Sequence, residues 1–376
     1  MERDHENPWH AKARDPSGLR DIHQSLFEAE RDWLEEAQKT HAQDGSLWED
    51  SACPLCKDDE ALPHLKVDMM TYVACCTCGL VYQRPRLAPW AHQAVNRLDP
   101  PRWRAEWEAH HQEMATSFQR ESFEAMEPYL RSRVLAGRCL DLGCGTGYLA
   151  ALLEQAGYTV EGLEAEPNAA EVARRNISGR VRCGMVEQEQ YPPSTFDAII
   201  MHESLYHFYD PLAVVQRAHT WLKPEGLLVV FTMNIEGLTL RRVPRLGLGV
   251  YSLSIPVLFG RQTLETMLDR GGFRVIATKG LGLMATPHLC LWPRSRGAPT
   301  SLHRGRVLKD ADGRQQNVAR RALAAMASRS LLPLYSLWTR LGRLLVQSRQ
   351  VLCVATKEVA PLAAGPADSP PGGSAS

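Results

Sequence analysis

The sequence predicts an α/β fold built on a doubly wound, mostly parallel sheet, and three observations predict it. From Arg138 onward, short apolar runs alternate with amphipathic stretches. A glycine-rich turn, Asp141-Leu142-Gly143-Cys144-Gly145-Thr146-Gly147, joins the first run to the first stretch. The run Phe196-Asp197-Ala198-Ile199-Ile200 is apolar in the manner of a strand covered on both faces.

The elements follow in order. Arg138-Cys139-Leu140 is the first strand, and Tyr148-Leu149-Ala150-Ala151-Leu152-Leu153 is helical. Thr159-Val160-Glu161-Gly162-Leu163 is the second strand and ends in Glu164, whose carboxylate can accept two ribose hydroxyls. The stretch Ala165 to Arg175 is an amphipathic helix opened by Pro167 near its first turn. Arg180-Val181-Arg182-Cys183-Gly184 is a third strand running into Met185-Val186-Glu187, and Phe196 to Ile200 is the fourth. Asp210-Pro211 opens the next helix, and Leu222-Lys223-Pro224-Glu225-Gly226 turns into a fifth strand, Leu227 to Phe231. Thr263 to Leu268 is helical, Phe273 to Ala277 is a strand, and Gln350 to Ala355 closes the sheet.

Glycine lacks a Cβ, so a glycine-rich turn between strand and helix lets a ligand approach the backbone. Alone this is weak evidence, because nucleotide sites of several kinds use such turns. Here the turn opens with an acidic residue and has no Lys-Ser/Thr pair to hold a phosphate. With Glu164 at the next strand end, the arrangement resembles the class I S-adenosylmethionine-dependent methyltransferases over roughly residues 120–290 and 330–358. That resemblance implies a seven-stranded Rossmann-like methyltransferase sheet and S-adenosylmethionine as cofactor. The cofactor contacts it implies are Asp141, Gly143, Cys144, Gly145, Gly147, Glu164, Ala165, Met185, Val186, Glu187 and His202. Asp141 would reach the amino group, Glu164 the ribose, and Met185, Val186 and Glu187 the adenine.

The segment Met201 to Pro211 follows the fourth strand, where this family faces the transferable methyl. His207 matches a histidine that relatives carry just before their Asp-Pro helix start, and Glu203 and His202 are the other catalytic candidates. Some relatives in the ubiquinone pathway place two glutamates here and bind a divalent metal. Glu203 fits one of these, but Tyr206 replaces the other. His207 has a second reading as a hydrogen-bonded pocket histidine.

Cys53-Pro54-Leu55-Cys56 and Cys75-Cys76-Thr77-Cys78 are two Cys-x-x-Cys pairs separated by eighteen residues. Such turns each present two thiolates to one metal, and together they make a closed tetrahedral zinc site with no open position for water. Met70 to Ala74 and Leu80 to Tyr82 are the expected strands of this zinc ribbon. The continuation Cys78 to Arg86 resembles a chemically diverse subgroup of bacterial methyltransferases with an N-terminal zinc-binding ribbon, many of which sit in pathways for sugars, surface glycans and specialised metabolites.

The expected domain order is a helical acidic arm at 1–50, a zinc ribbon at 51–88 and a helical linker or cover at 89–133. The methyltransferase domain follows at 134–358, with a basic helical insertion at about 290–348, and a disordered tail at 359–376. In the arm, Leu19, Ile22, Leu26, Ala29 and Trp33 recur at helical spacing. The net charge is zero, yet residues 1–60 carry sixteen acidic against seven basic residues, and 294–349 carry twelve basic against two acidic. Residues 331–345 form an apolar and arginine-flanked stretch, read as a lid over the site or as a helix on an anionic membrane surface. A charged start without an apolar run predicts a cytoplasmic protein, and ten cysteines there point to metal ligands or free thiols.

The favoured function is methyl transfer to an O, N or C atom of a small-molecule or glycan-type acceptor. The alternative is a nucleic-acid methyltransferase that grips phosphates with the ribbon and the Arg-rich segment. Against it, Lys57 is followed by Asp58-Asp59-Glu60, and the fourth strand lacks an Asn-Pro-Pro-Tyr-type continuation. A non-catalytic binding protein that kept the fold is a third reading, opposed by the intact glycine loop and Glu164. Oligomeric state is not legible.

Overall fold

The apolar runs pair into one main sheet in a computed structural model that describes residues 19–41, 46–67, 69–98, 119–134, 136–236, 252–281 and 350–357. Helix α1 (Leu19–Thr40) precedes strands β1 (Trp48–Glu49), β2 (Ala61–Val67), β3 (Met70–Cys75), β4 (Val81–Gln83) and β5 (Arg86–Leu87). Helices α2 (Pro89–Val95) and α3 (Arg120–Arg133) lead to β6 (Arg138–Leu142), α4 (Tyr148–Gln155), β7 (Thr159–Glu164), α5 (Pro167–Asn176) and β8 (Val181–Cys183). Then come β9 (Phe196–His202), a 3-10 turn (Leu205–His207), α6 (Pro211–Trp221), β10 (Leu222–Met233) and β11 (Val257–Leu258). Helix α7 (Arg261–Arg270), β12 (Phe273–Leu281) and β13 (Gln350–Lys357) complete the order.

Among the described residues the main sheet has seven strands in the order β12-β13-β10-β9-β6-β7-β8. Strand β6 is parallel to β7 and β9, β7 to β8, and β9 to β10, while β13 runs antiparallel to both β10 and β12. The chain winds outward from β6 to β8 and then returns to the other side of β6 as β9. That reversal opens a crevice at the carboxyl ends of β6 and β9, the usual ligand position in such sheets.

Side chains alternate between the two faces of the sheet, and in β6, β9, β10 and β13 both faces are covered. Leu140, Leu142, Ile199, Met201, Leu228 and Val230 join one core with Val214, Trp221, Leu264 and Met267 of α6 and α7. Cys139, Ala198, Ile200, Leu227, Val229 and Phe231 join another with Met126, Leu130, Leu149 and Leu153 of α3 and α4. Two covered faces are why these strands read as unbroken apolar runs.

Two expectations are corrected. Leu222 to Gly226 does not form a separate turn: β10 already pairs with β9 at Leu222, with a register shift before Leu227. Pro224 has no N–H to give the ladder and Glu225 sits at φ 60, so the irregularity falls on those residues. The ribbon is not self-contained within 51–88. Its sheet has the order β11-β4-β3-β2, so β2 joins the two expected strands and β11 arrives from the chain beyond β10. Cys53, Leu55, Tyr72, Tyr82 and Leu87 belong to the same core as α6 and α7. So small a unit cannot bury enough surface alone.

Of the expected helical linker or cover at 89–133, residues 99–118 lie outside the described residues, as do the basic segment 294–349 and the tail 359–376. Among the described residues no helix is long and apolar enough to cross a membrane.

Candidate active site and candidate metal centre

At the crevice, the turn after β6 carries three glycines with positive φ: Gly143 (77°), Gly145 (54°) and Gly147 (79°). Two of them are required by packing. A Cβ on Gly143 would lie 2.5 Å from the Ser204 Cβ, and one on Gly147 would lie 3.1 Å from the Ala173 backbone. Ser204 donates its hydroxyl to the Leu142 carbonyl, which ties the turn after β9 to the turn after β6. Gly145 donates its N–H to Glu164 Oε2 at 2.8 Å, so the loop is also tied to the end of β7.

Glu164 therefore already has backbone partners, since Oε1 accepts the Glu166 N–H at 2.9 Å. Each carboxylate oxygen keeps a further acceptor position. Glu166 caps α5, accepting from Asn168 and Ala169 N–H groups at 2.8 and 2.6 Å, while Pro167 occupies the first turn. Ala165 lies between these two carboxylates in sequence.

Asp141 is buried, and its Oδ1 has no hydrogen-bond partner. Burial, with the Glu164 charge adding to it, pushes its carboxyl up to about 7. Burial likewise raises Glu164. Two close carboxyls with one orphaned oxygen make an electronegative pocket that a cationic ligand would stabilise. Cys144 is buried, and burial raises its thiol, so it packs as a neutral group. Met185 and Val186 are buried next to Gly184, whose N–H binds the Glu164 carbonyl at 2.8 Å. Glu187 accepts from the Tyr209 N–H at 3.4 Å and keeps Oε2 buried without a partner.

The three catalytic candidates diverge. His202 ends β9 and contacts Ser122 of α3 through Nε2 at 2.9 Å, and its ring lies 5.1 Å from that of Phe231. Glu203 sits at φ 54, a conformation unusual for a residue with a side chain. Its carboxylate accepts from the Tyr206 hydroxyl at 2.8 Å and from the Gln350 amide. His207 Nδ1 lies 3.0 Å from the Ser254 carbonyl, and its ring is 4.6 Å from that of Tyr206. Burial pushes both histidines down to about 4, so both are neutral at pH 7. Ser122, Ser204, Ser254 and Gln350 carry no motif, and only the fold brings them here.

Cys53, Cys56, Cys75 and Cys78 converge, with all four sulfurs within 4.8 Å of one another. The Cys53–Cys78 and Cys56–Cys75 sulfurs are 3.5 and 3.3 Å apart, too far for a disulfide. Tetrahedral zinc–thiolate bonds of about 2.3 Å place sulfurs roughly 3.8 Å apart, so the cluster fits that ion. Burial raises the Cys53 thiol and pushes Cys78 up to about 11, a cost to their thiolates that a bound cation would offset, while hydrogen bonds lower Cys75. Lys57 (φ 64) and Gly79 (φ 74) turn the chain after each pair.

The chain is similar to several known proteins. Residues 99–278 match the family model described as a methyltransferase domain. A ubiquinone biosynthesis O-methyltransferase of Xanthomonas campestris pv. campestris is 34% identical over 116 residues, covering 28% of this chain and 48% of that protein. One from Xylella fastidiosa is 39% identical over 116 residues, covering 28% and 46%. The chain thus spans about half the length of the curated relatives it matches. A solved structure of a SAM-dependent methyltransferase from Archaeoglobus fulgidus aligns with a TM-score of 0.44 and 13% identity, covering 67% of this chain and 99% of that one. Residues 99–278 are similar to a methyltransferase domain, and the main sheet is of the doubly wound, Rossmann-like kind.

Proposed function

We propose that this chain transfers a methyl group from S-adenosylmethionine to an oxygen atom of a small-molecule acceptor. The observation that carries the reading is the electronegative cradle at the β6/β9 crevice: the glycine turn, the buried Asp141 with its orphaned Oδ1, and Glu164 beside it. S-adenosylmethionine is cationic at its sulfonium and its amino group, which suits that cradle. Asp141 would take the amino group, Glu164 the ribose, and Met185 and Val186 would border the base. The bound cofactor supplies an activated methyl on sulfur. What the chain then supplies is alignment and exclusion of water.

An oxygen acceptor is favoured because the matched relatives are named O-methyltransferases. Such an acceptor loses a proton, and neutral His207, with its proton on Nδ1, offers Nε2 as the receiving atom. Glu203 is held in place by Tyr206 and Gln350. Cys53, Cys56, Cys75 and Cys78 would hold one structural zinc. The nucleic-acid reading loses support among the described residues: Arg84 pairs with Asp50 and Asp59, and Arg86 with Glu49, so the ribbon's arginines are already neutralised.

Titration calorimetry with S-adenosylmethionine tests the reading. Binding is expected in the parent chain, and Gly145→Arg is expected to abolish it by filling the turn. Equal affinity in that variant would remove the assignment. Methyl transfer from labelled cofactor to hydroxylated aromatics and to sugars then separates the acceptor classes.

A further inference from the structure

Between β10 and β11, residues 252–256 form a strap whose polar backbone groups are shared out in an ordered way. The ribbon takes most of the carbonyls. The Tyr72 hydroxyl donates to the Ile255 carbonyl at 2.9 Å, and Gln83 Nε2 lies 2.8 and 3.0 Å from the carbonyls of Ser252 and Ile255. The Gln83 N–H donates to the Pro256 carbonyl at 2.9 Å, and Val257–Leu258 pairs with Val81–Tyr82. Helix α1 takes an amide: Glu30 accepts the Leu253 N–H at 3.2 Å and the Ser252 hydroxyl. The Ser254 N–H is satisfied within the strap by Ser252 Oγ at 3.1 Å.

The Ser254 carbonyl points the other way, to His207 Nδ1. A carbonyl oxygen only accepts, so His207 must carry its proton on Nδ1 and its lone pair on Nε2. The buried ring of His92 on α2 lies against the same Ser254 carbonyl. Tyr72 and Gln83 are themselves buried and joined, with Gln83 Nε2 3.0 Å from the Tyr72 oxygen. A buried amide and a buried phenol committed to the backbone of a distant loop fix that loop's direction.

We propose that Tyr72 and Gln83 of the ribbon are positioning residues that set the tautomer and orientation of His207 through the 252–256 strap. Its bearing on catalysis rests on the reading of His207 as the acceptor-side histidine, but the positioning itself does not. The ribbon then supports the proposed site through the strap, two hydrogen bonds removed from it.

Nitrogen-15 histidine spectra of the full chain, with zinc bound, test the proposal. Signals of His207 are assigned with His207→Gln and those of His92 with His92→Gln. The parent chain is expected to show neutral His207 with the proton on Nδ1. In Tyr72→Phe with Gln83→Leu, the Nδ1–H to Nε2–H ratio is expected to fall roughly fivefold, the scale of one lost net hydrogen bond. Tyr72→Phe alone, which removes one hydroxyl and keeps the shape, is expected to move it in the same direction and guards against misfolding of the double variant. An unchanged ratio in folded Tyr72→Phe and folded double variant overturns the proposal. A shifted ratio in a chain whose methyl transfer does not need His207 leaves the positioning intact and removes His207 from the mechanism.

Discussion

At the scale of single residues, two glycines separate strain from crowding, Gly157 after α4 and Gly143 in the turn after β6. Gly157 has φ 96 and nothing within 4 Å of the place a Cβ would take, whereas Gly143 has φ 77 and Ser204 at 2.5 Å. Gly157→Ala is expected to cost the left-handed conformation alone, roughly 1–2 kcal/mol. Gly143→Ala is expected to cost more in urea unfolding and to weaken cofactor binding, because Ser204 must move. Equal losses at the two positions would show that the Ser204 contact is not rigid. Glu30 gives a pH signature. Burial raises its carboxyl from 4.5 to about 7, so its stabilising share is complete below pH 4.5 and is lost as pH rises toward and past 7. Glu30→Gln is expected to gain on the parent chain between pH 5 and pH 8, by up to ~3 kcal/mol in unfolding free energy. His92, pushed down to about 3, and His207, pushed down to about 4, act in the opposite sense: their share is lost as pH falls below 6.5. The glycines and Glu164 are legible in the sequence because the turn and the strand end are local signals. Ser204 and Ser254 are not, because each serine gains its role only from a partner dozens of positions away.

Among the elements, helix starts and buried strands are the most legible part. Pro167 and Pro211 stand at the starts of α5 and α6, where a missing N–H costs nothing. The cap at Glu166 is not legible, since glutamate is not among the favoured N-cap residues. Glu166→Ala is expected to cost about 1 kcal/mol, seen as a lower urea midpoint with an unchanged slope. No loss would mean that the freed amides of Asn168 and Ala169 find water equally well. Strand β2 escapes the sequence pattern for a physical reason. Pro63 sits inside it and argues against a central strand, yet β2 lies at the sheet edge, where a proline needs no ladder partner on its outer side. The two-residue β11 is too short to carry a pattern, and its pairing comes only from the tertiary fold.

For the whole molecule, the doubly wound class is legible from alternation and from the unbroken apolar strands. The surroundings of His202, Glu203 and His207 are not, because they are assembled from segments around residues 122, 204, 254 and 350 that no local spacing connects. Ribbon and main sheet share one core, and the Arg270 side chain donates to the Leu55 carbonyl at 2.7 Å between the two cysteines of the first pair. Metal analysis is expected to give close to one zinc per chain. Stripping it with a chelator is expected to lower the melting temperature of the entire chain in one transition. Two separated transitions, with the main sheet unaffected, would show that the ribbon melts on its own.

The borrowed strand also imposes an order in time. The Tyr72 hydroxyl and the Ile255 carbonyl that receives it are 183 positions apart. At about 5–20 residues per second, a ribosome takes on the order of ten to forty seconds to cover that distance. Through that interval the cysteine pairs can already meet, but β4 has a bare edge, and Tyr72 and Gln83 have no strap to bind. A nascent ribbon is therefore an open template, and its safest partner is the strand still being made.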